Sequence, residues 1–269
     1  MKIDGKKIAA DILKTLKPQV ENLKKEGINP TLAIILVGNN QSSQSYIKQK
    51  QLKAEEIGVQ IKLFQFDNVA EEELLKLIEK LNDDPQVHGI IVQRPLPENI
   101  NKKAISKIIK VEKDTDGFND ESSFDTPVAL GVIEILNRVG INDLSDKKIV
   151  VLGKGETAGL PIIKLLDKME LNFEIIDSQT ENHEALIKNS DIIISAVGKE
   201  KTVRPELLNK NQILIGVGLF LKDGKLNGDY EASAVENKVK YFTPTIGGVG
   251  PVNVAYLMKN LIDSARTAS

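Results

Sequence analysis

The chain has no cysteine and no tryptophan, only two histidines, and an aromatic content of 4%. Without cysteine there are no disulfides, no thiolate metal sites and no sulfur nucleophile. His88 and His183 have no acidic or histidine partner at a metal-ligand spacing, so neither a structural zinc site nor a histidine-based triad is expected. An excess of charge is lacking too, since 36 basic and 38 acidic residues leave a net charge of −2. That balance gives no global pull toward nucleic acid or an anionic membrane. No apolar run approaches the roughly 18 residues of a membrane span. The opening "MKIDGKKIAADILKTLKPQVENL" carries apolar residues at helical spacing (Ile8, Ile12, Leu16, Val20) rather than a signal-peptide core. The expectation is a cytoplasmic protein with no metal, nucleic-acid or membrane partner.

What the chain does have is 269 residues, 41% of them apolar and 28% charged, enough to bury one large core or two ordinary ones. Strand-like and helix-like stretches alternate. "PTLAIILVG" and "VHGIIVQRPLP" read as buried parallel strands, and "AEEELLKLIEKLNDD" as an amphipathic helix. Thr126 and Pro127 mark a helix start, with Thr126 as N-cap. The second half runs strand, glycine turn, helix through "KKIVVLGKGETAGLPIIKLLDKM". Further strands follow in "NFEIIDSQT", "DIIISAVGK" and "QILIGVGLF". Such alternation predicts an α/β fold with parallel, doubly wound sheets. The closing "GPVNVAYLMKNLIDSAR" is a helix with no strand after it.

Two stretches carry chemistry. Gly153, Gly155 and Gly159 lie between a buried strand and a helix, as a loop approaching a pyrophosphate requires. The spacing is G-x-G-x-x-x-G, and glycines also end strands for steric reasons alone. Asp177, closing the next strand, stands where an acid would meet the adenosine ribose. The other stretch is "SYIKQKQLKAEEIG". On a helical wheel Lys50 falls near the middle of the apolar face formed by Tyr46, Ile47, Ala54 and Ile57. Lys48 points away, and Lys53 sits at the edge. A lysine so placed either snorkels to water or, partly buried, loses proton affinity and becomes a usable base. Tyr-x-x-x-Lys also matches the catalytic pair of short-chain dehydrogenases. In those enzymes the glycine loop comes first, and here it follows the pair, so that reading fails on order.

Four stretches in fixed order, "LVGNNQSSQSYIKQK", "GIIVQRPLP", "KDTDGF" and "TPTIGGVGPVNVAYLM", resemble the methylenetetrahydrofolate dehydrogenase/cyclohydrolase family of bifunctional FolD type. The similarity covers nearly the whole chain. It implies an N-terminal α/β folate-binding catalytic domain completed by the C-terminal helix (1–122 with 247–269) and a Rossmann-type dinucleotide-binding domain (123–246), with a folate cleft between them. The implied reactions are hydride transfer from 5,10-methylenetetrahydrofolate to the cofactor, then hydrolysis of the methenyl product to 10-formyltetrahydrofolate, within one-carbon metabolism and purine biosynthesis. On this resemblance Lys50 is the catalytic lysine, Gln93 orients it, Asp116 receives the pterin N–H donors and Tyr46 stacks on the folate. Gly247, Gly248, Gly250 and Pro251 approach folate and nicotinamide. Gly153, Lys154, Gly155, Gly159, Asp177, Ser178, Thr180, Ala196, Val197, Gly198, Gly218 and Thr243 contact the cofactor. A homodimer is also implied.

The chain departs from the family pattern in places. Arg94 replaces the leucine usual in VQ-L-PLP, "TPTIGG" replaces "TPVPGG", Gly216 stands where an aspartate is usual, and the segment after Phe118 is short. Lys154-Gly155 and Asp177-Ser178 replace the usual Arg-Ser and His-Ser or His-Arg. Family habit implies NADP, while Asp177 suits the free 2′-hydroxyl of NAD; NADP is the expected cofactor and NAD the alternative. The competing readings are a monofunctional, NAD-dependent dehydrogenase and a non-catalytic folate- or nucleotide-binding protein. Retention of Lys50, Gln93 and Asp116 argues against both.

Overall fold

A computed structural model describes residues 1–267. In chain order the elements are α1 (Gly5–Lys25), β1 (Thr31–Val37), α2 (Gln41–Ile57), β2 (Gln60–Phe66), α3 (Glu71–Asp83), β3 (Gly89–Val92), α4 (Lys102–Ile108) and α5 (Pro127–Arg138). There follow β4 (Ile149–Leu152), α6 (Gly159–Lys168), β5 (Phe173–Ile176), α7 (His183–Asn189), β6 (Ile192–Ser195), β7 (Ile213–Gly216), β8 (Leu219–Lys222), β9 (Lys225–Gly228), α8 (Ala232–Val235), β10 (Tyr241–Phe242) and α9 (Val249–Thr267). Among the described residues no helix is long and apolar enough to cross a membrane.

The chain divides into two units, one of Ala10–Pro127 with the segment from Val254 onward, the other of Met1–Ala9 with Val128–Asn253. The first holds a three-stranded parallel sheet in the order β2-β1-β3. Every residue of β1 is buried, as its unbroken apolar run requires, whereas edge strand β2 is half exposed. Residues of β1, α3, β3 and α4 share one core around Ile35, Leu74, Ile78, Ile90 and Ile105. The C-terminal helix closes this unit. Its Ser264 hydroxyl donates to the carbonyls of His88 and Glu112, and the Asn260 side-chain amide donates to those of Thr115 and Asp125.

The second unit holds a five-stranded parallel sheet, β10-β7-β6-β4-β5. Sequence order reverses at β4, and in open α/β sheets ligands bind beyond the strand ends at such a switch point. "QILIGVGLF", expected as one strand, is two. Val217 and Gly218 both turn their N–H groups onto the Ser195 carbonyl, so the chain leaves the sheet after β7 and forms the separate hairpin β8–β9.

Residues 1–9 belong with the second unit, because Ile3 donates its N–H to the Phe242 carbonyl at 2.8 Å and Lys2 bridges Phe242. By internal packing the unit boundaries fall after Ala9, Pro127 and Asn253. Pro127 does open α5, but the Thr126 hydroxyl is buried without a hydrogen-bond partner, so the expected cap is not made.

Candidate active site

Helix α2 begins at Asn40, whose side chain accepts the Ser43 N–H, and ends at Gly58 in the left-handed conformation. Between these caps Ser43, Ile47, Lys50, Ala54 and Ile57 form the buried stripe, with Lys50 only 6% exposed. Lys48 is solvated, and Lys53 pairs with Glu56 at 2.7 Å. Of the three lysines, one is inside.

The partner of Lys50 comes from the end of β3. Gln93 donates its N–H to the Ile35 carbonyl at 2.8 Å, which extends the ladder with β1 by one residue and fixes where the side chain starts. Its amide nitrogen donates to the Arg94 carbonyl at 2.9 Å, so the amide oxygen faces the Lys50 ammonium at 3.0 Å. The lysine is thus satisfied by a neutral acceptor. Burial pushes its pKa below the ordinary lysine value, and the negative charge of Asp116 opposes that shift. Tyr46, one turn before Lys50, is half-buried, and burial raises the pKa of its hydroxyl. Lys50, Gln93, Asp116 and Tyr46 therefore all belong to one unit.

Asp116 sits on a loop whose anchor the sequence did not disclose. Asp114 is 2% exposed and accepts the Asn119 N–H at 2.7 Å, and its carbonyl accepts the Gly117 N–H at 3.1 Å. Burial first, then the neighbouring Asp116 charge, raises the Asp114 pKa to about 6. Only the D-x-D spacing hinted at it. Arg94 lies over the Phe118 ring, 4.2 Å from its centroid, and donates to the Ser106 hydroxyl at 2.8 Å. Its guanidinium ties α4 to the Asp116 loop.

In the other unit the loop after β4 passes close to the start of α6. A Cβ on Gly159 would come within 2.2 Å of the Gly153 carbonyl oxygen, and Gly153 has φ +86°. Only glycine closes that turn, which brings the loop against the N-terminal end of α6. Gly155 carries no such constraint, as its added Cβ would meet nothing nearer than 3.9 Å. The Gly153 N–H donates to the Ile176 carbonyl at 2.9 Å, which brings the loop beside Asp177. Lys154 and Asp177 form an ion pair at 2.8 Å, and that lysine lowers the Asp177 pKa to about 2. Ser178 is exposed, and Thr180 hydrogen-bonds to the Asp177 carboxylate at 3.2 Å.

Ala196, Val197 and Gly198 follow β6, and a residue missed in the sequence organises them. Asp229, fully buried, accepts from the Ser195 hydroxyl (2.6 Å) and from the N–H groups of Val197 (3.0 Å), Gly198 (2.7 Å) and Lys199 (3.0 Å). A side chain at Gly218 would strike that carboxylate, its Cβ lying 2.3 Å away. Thr243, expected at the cofactor, also links strands in the core. It is fully buried, and its hydroxyl accepts the Gly216 N–H at 2.7 Å. Gly247, Gly248, Gly250 and Pro251 open α9, and a Cβ on Gly248 would lie 2.3 Å from the Pro244 carbonyl oxygen. Among the described residues no group of His, Asp or Glu is arranged to hold a metal ion.

Residues 3–116 match the model of the tetrahydrofolate dehydrogenase/cyclohydrolase catalytic domain, and residues 126–269 that of the family's NAD(P)-binding domain. Bifunctional protein FolD of Macrococcus caseolyticus is 38% identical across 99% of this chain and 98% of its own. The Bacillus subtilis protein of the same name is 38% identical across 98% and 97%. Among solved structures, the bifunctional FolD enzyme of Campylobacter jejuni superposes with a TM-score of 0.93 at 36% identity, covering 99% of each chain. The Trypanosoma brucei enzyme, solved with NADP cofactor and inhibitor, gives 0.93 at 31% identity over 99% of this chain and 97% of its own. The chain belongs to the tetrahydrofolate dehydrogenase/cyclohydrolase family.

Proposed function

We propose that this chain oxidises 5,10-methylenetetrahydrofolate to the methenyl form with NADP and hydrolyses that product to 10-formyltetrahydrofolate. The observation that carries the hydrolytic half is the buried Lys50 amine held by Gln93 within the field of Asp116. When bound, NADP supplies the hydride acceptor. The Gly153–Gly159 turn, the Asp229-anchored loop and the Lys154–Asp177 pair are the groups that would hold it.

The chain's own part follows from charge and position. Tyr46, half-buried on α2, offers its ring as a stacking surface for the folate. Asp116, acceptor-only when ionised, takes the pterin N–H groups and sets the depth of the ring. The methenyl carbon is electrophilic, and water attacks it more readily as its proton leaves. Lys50 in its neutral form takes that proton, and desolvation lowers the cost of reaching that neutral form. The resulting ammonium returns that proton to the ring nitrogen as the carbon–nitrogen bond breaks, and the remaining hydroxyl proton leaves to solvent as the formyl carbonyl forms, so the substrate's positive charge departs as one released proton and the amine is again neutral. Gln93 accepts from the lysine in either state, so the amine keeps its aim throughout the cycle.

The relatives' bifunctional names, the NADP in the Trypanosoma brucei structure and the match to both domain models support this reading. A homodimer and a cytoplasmic location belong to the same proposal and rest on the family likeness. The test is optical: mixing the protein with methylenetetrahydrofolate and NADP gives methenyl absorbance that rises and then decays. Absence of any methenyl signal with either NADP or NAD would reject the proposal.

A further inference from the structure

We infer that the Lys154–Asp177 ion pair is a two-way 2′ subsite through which this chain accepts both NADP and NAD, with a modest difference in affinity between them. The inference rests on the dinucleotide-binding reading of the second unit and specifies how that site treats the adenosine ribose.

In a doubly wound sheet the ribose lies beside the carboxyl end of the strand next to the glycine loop. An acid there receives a 2′-hydroxyl, and a nearby cation receives a 2′-phosphate. This chain has both groups in contact. Strand β5 pairs in register with β4, Leu152 opposite Ile176, so Asp177, one residue beyond β5, and Lys154, two beyond β4, leave the ends of neighbouring strands. Their separation is 2.8 Å.

The two partners are not held alike. One carboxylate oxygen of Asp177 is engaged by its own turn, accepting the Gln179 N–H at 2.9 Å and the Thr180 hydroxyl at 3.2 Å. The Asp177 N–H in turn donates to the Thr180 hydroxyl oxygen at 3.0 Å. The other carboxylate oxygen faces Lys154 alone among these groups. Lys154 is 64% exposed on a flexible stem, against 27% for the acid, so the lysine is the partner free to swing.

A 2′-hydroxyl therefore finds a fixed acceptor in the outer oxygen of Asp177. A 2′-phosphate draws the Lys154 ammonium to itself but meets the Asp177 carboxylate at the same place. The pair has no net charge, and a single ammonium lacks the planar fork with which a guanidinium holds phosphate in two bonds. Attraction and repulsion offset each other for the phosphate, while the hydroxyl loses nothing. Neither cofactor is shut out.

The test uses binding alone, by calorimetry with ADP-ribose and 2′-phospho-ADP-ribose, on the wild type, Lys154→Met and Asp177→Asn. In the wild type the two probes bind within about tenfold of each other, a difference of about 1.4 kcal/mol or less. Lys154→Met weakens the phosphorylated probe by about tenfold or more and leaves ADP-ribose within about twofold. Asp177→Asn keeps the turn's acceptor oxygen, removes the charge, and strengthens the phosphorylated probe relative to ADP-ribose by about tenfold. A wild-type gap wider than tenfold, or variants that shift both probes alike, would overturn the inference while leaving dinucleotide binding intact. Failure of the wild type to bind either probe would bring down the dinucleotide-site reading and this inference together.

Discussion

Two lysines, Lys50 and Lys154, anchor the two halves of the proposed chemistry, and their surroundings are opposite. Lys50 is 6% exposed and bonded to a neutral amide oxygen, whereas the Lys154 side chain is 64% exposed and paired with a carboxylate. Burial beside a neutral partner favours giving up the proton at Lys50. On the proposed reading the same side chain serves as a proton acceptor in one unit and as a mobile surface cation in the other. What differs is the helix stripe that buries the first and the strand-end turn that presents the second.

The comparison can be broken most severely at Lys50. Lys50→Met removes the base, and hydrolysis of the methenyl substrate falls by about 100-fold or more. Hydride transfer stays within about tenfold, because folate stacking and pterin recognition rest on Tyr46 and Asp116. Separate assays of methenyl formation and methenyl decay resolve the two, and an equal loss in both would assign Lys50 to substrate binding instead.

A smaller effect is expected on the pH profile. Asp116 raises the pKa of Lys50, so removing its charge lowers that pKa further. The amine is then neutral down to a lower pH, and the acid limb of the hydrolysis rate in Asp116→Asn shifts to lower pH. The limb is read from kcat at saturating substrate, since the same variant weakens pterin binding. A limb that moved upward, or not at all, would separate Asp116 from the lysine.

The smallest effects concern stability, and they sharpen the contrast. Lys50→Met replaces a charge in an apolar stripe with an apolar side chain of similar length, so the variant unfolds at a temperature no lower than the wild type. Lys154→Met removes an exposed ion pair and leaves the unfolding midpoint where it is. Calorimetric scans of both variants check this, and a marked destabilisation by Lys50→Met would mean that Lys50 holds the fold together.

Much of this was legible in the residues. The helical wheel over 45–58 put Lys50 inside because an amphipathic helix has a fixed period, and the structure places it there. The glycine turn, the parallel sheets and the strand-end position of Asp177 follow from patterns a few residues long. The Lys50–Gln93 contact depends on two elements 43 residues apart, and the motif resemblance, not spacing, suggested it. Asp229 and Asp114 were not legible. Each reads as a loop aspartate, and only folding shows that the first gathers three N–H groups after β6 and the second sits buried behind Asp116. The β8–β9 hairpin was hidden because "IGVGLF" is continuously apolar, and the turn within it comes from two N–H groups converging on the Ser195 carbonyl. Arg94 stood out in the sequence only as a departure from the family pattern, and the structure lays it over Phe118.

The central claim is that burial makes the Lys50 amine a base, and its proton affinity can be measured directly. Isotope-edited NMR of the lysine side chains across pH, with Lys50→Met identifying the resonance, reads its titration midpoint. The account predicts a midpoint below the ordinary lysine value of 10.5, lowered further in Asp116→Asn. A midpoint at or above that value in the folded protein would contradict it.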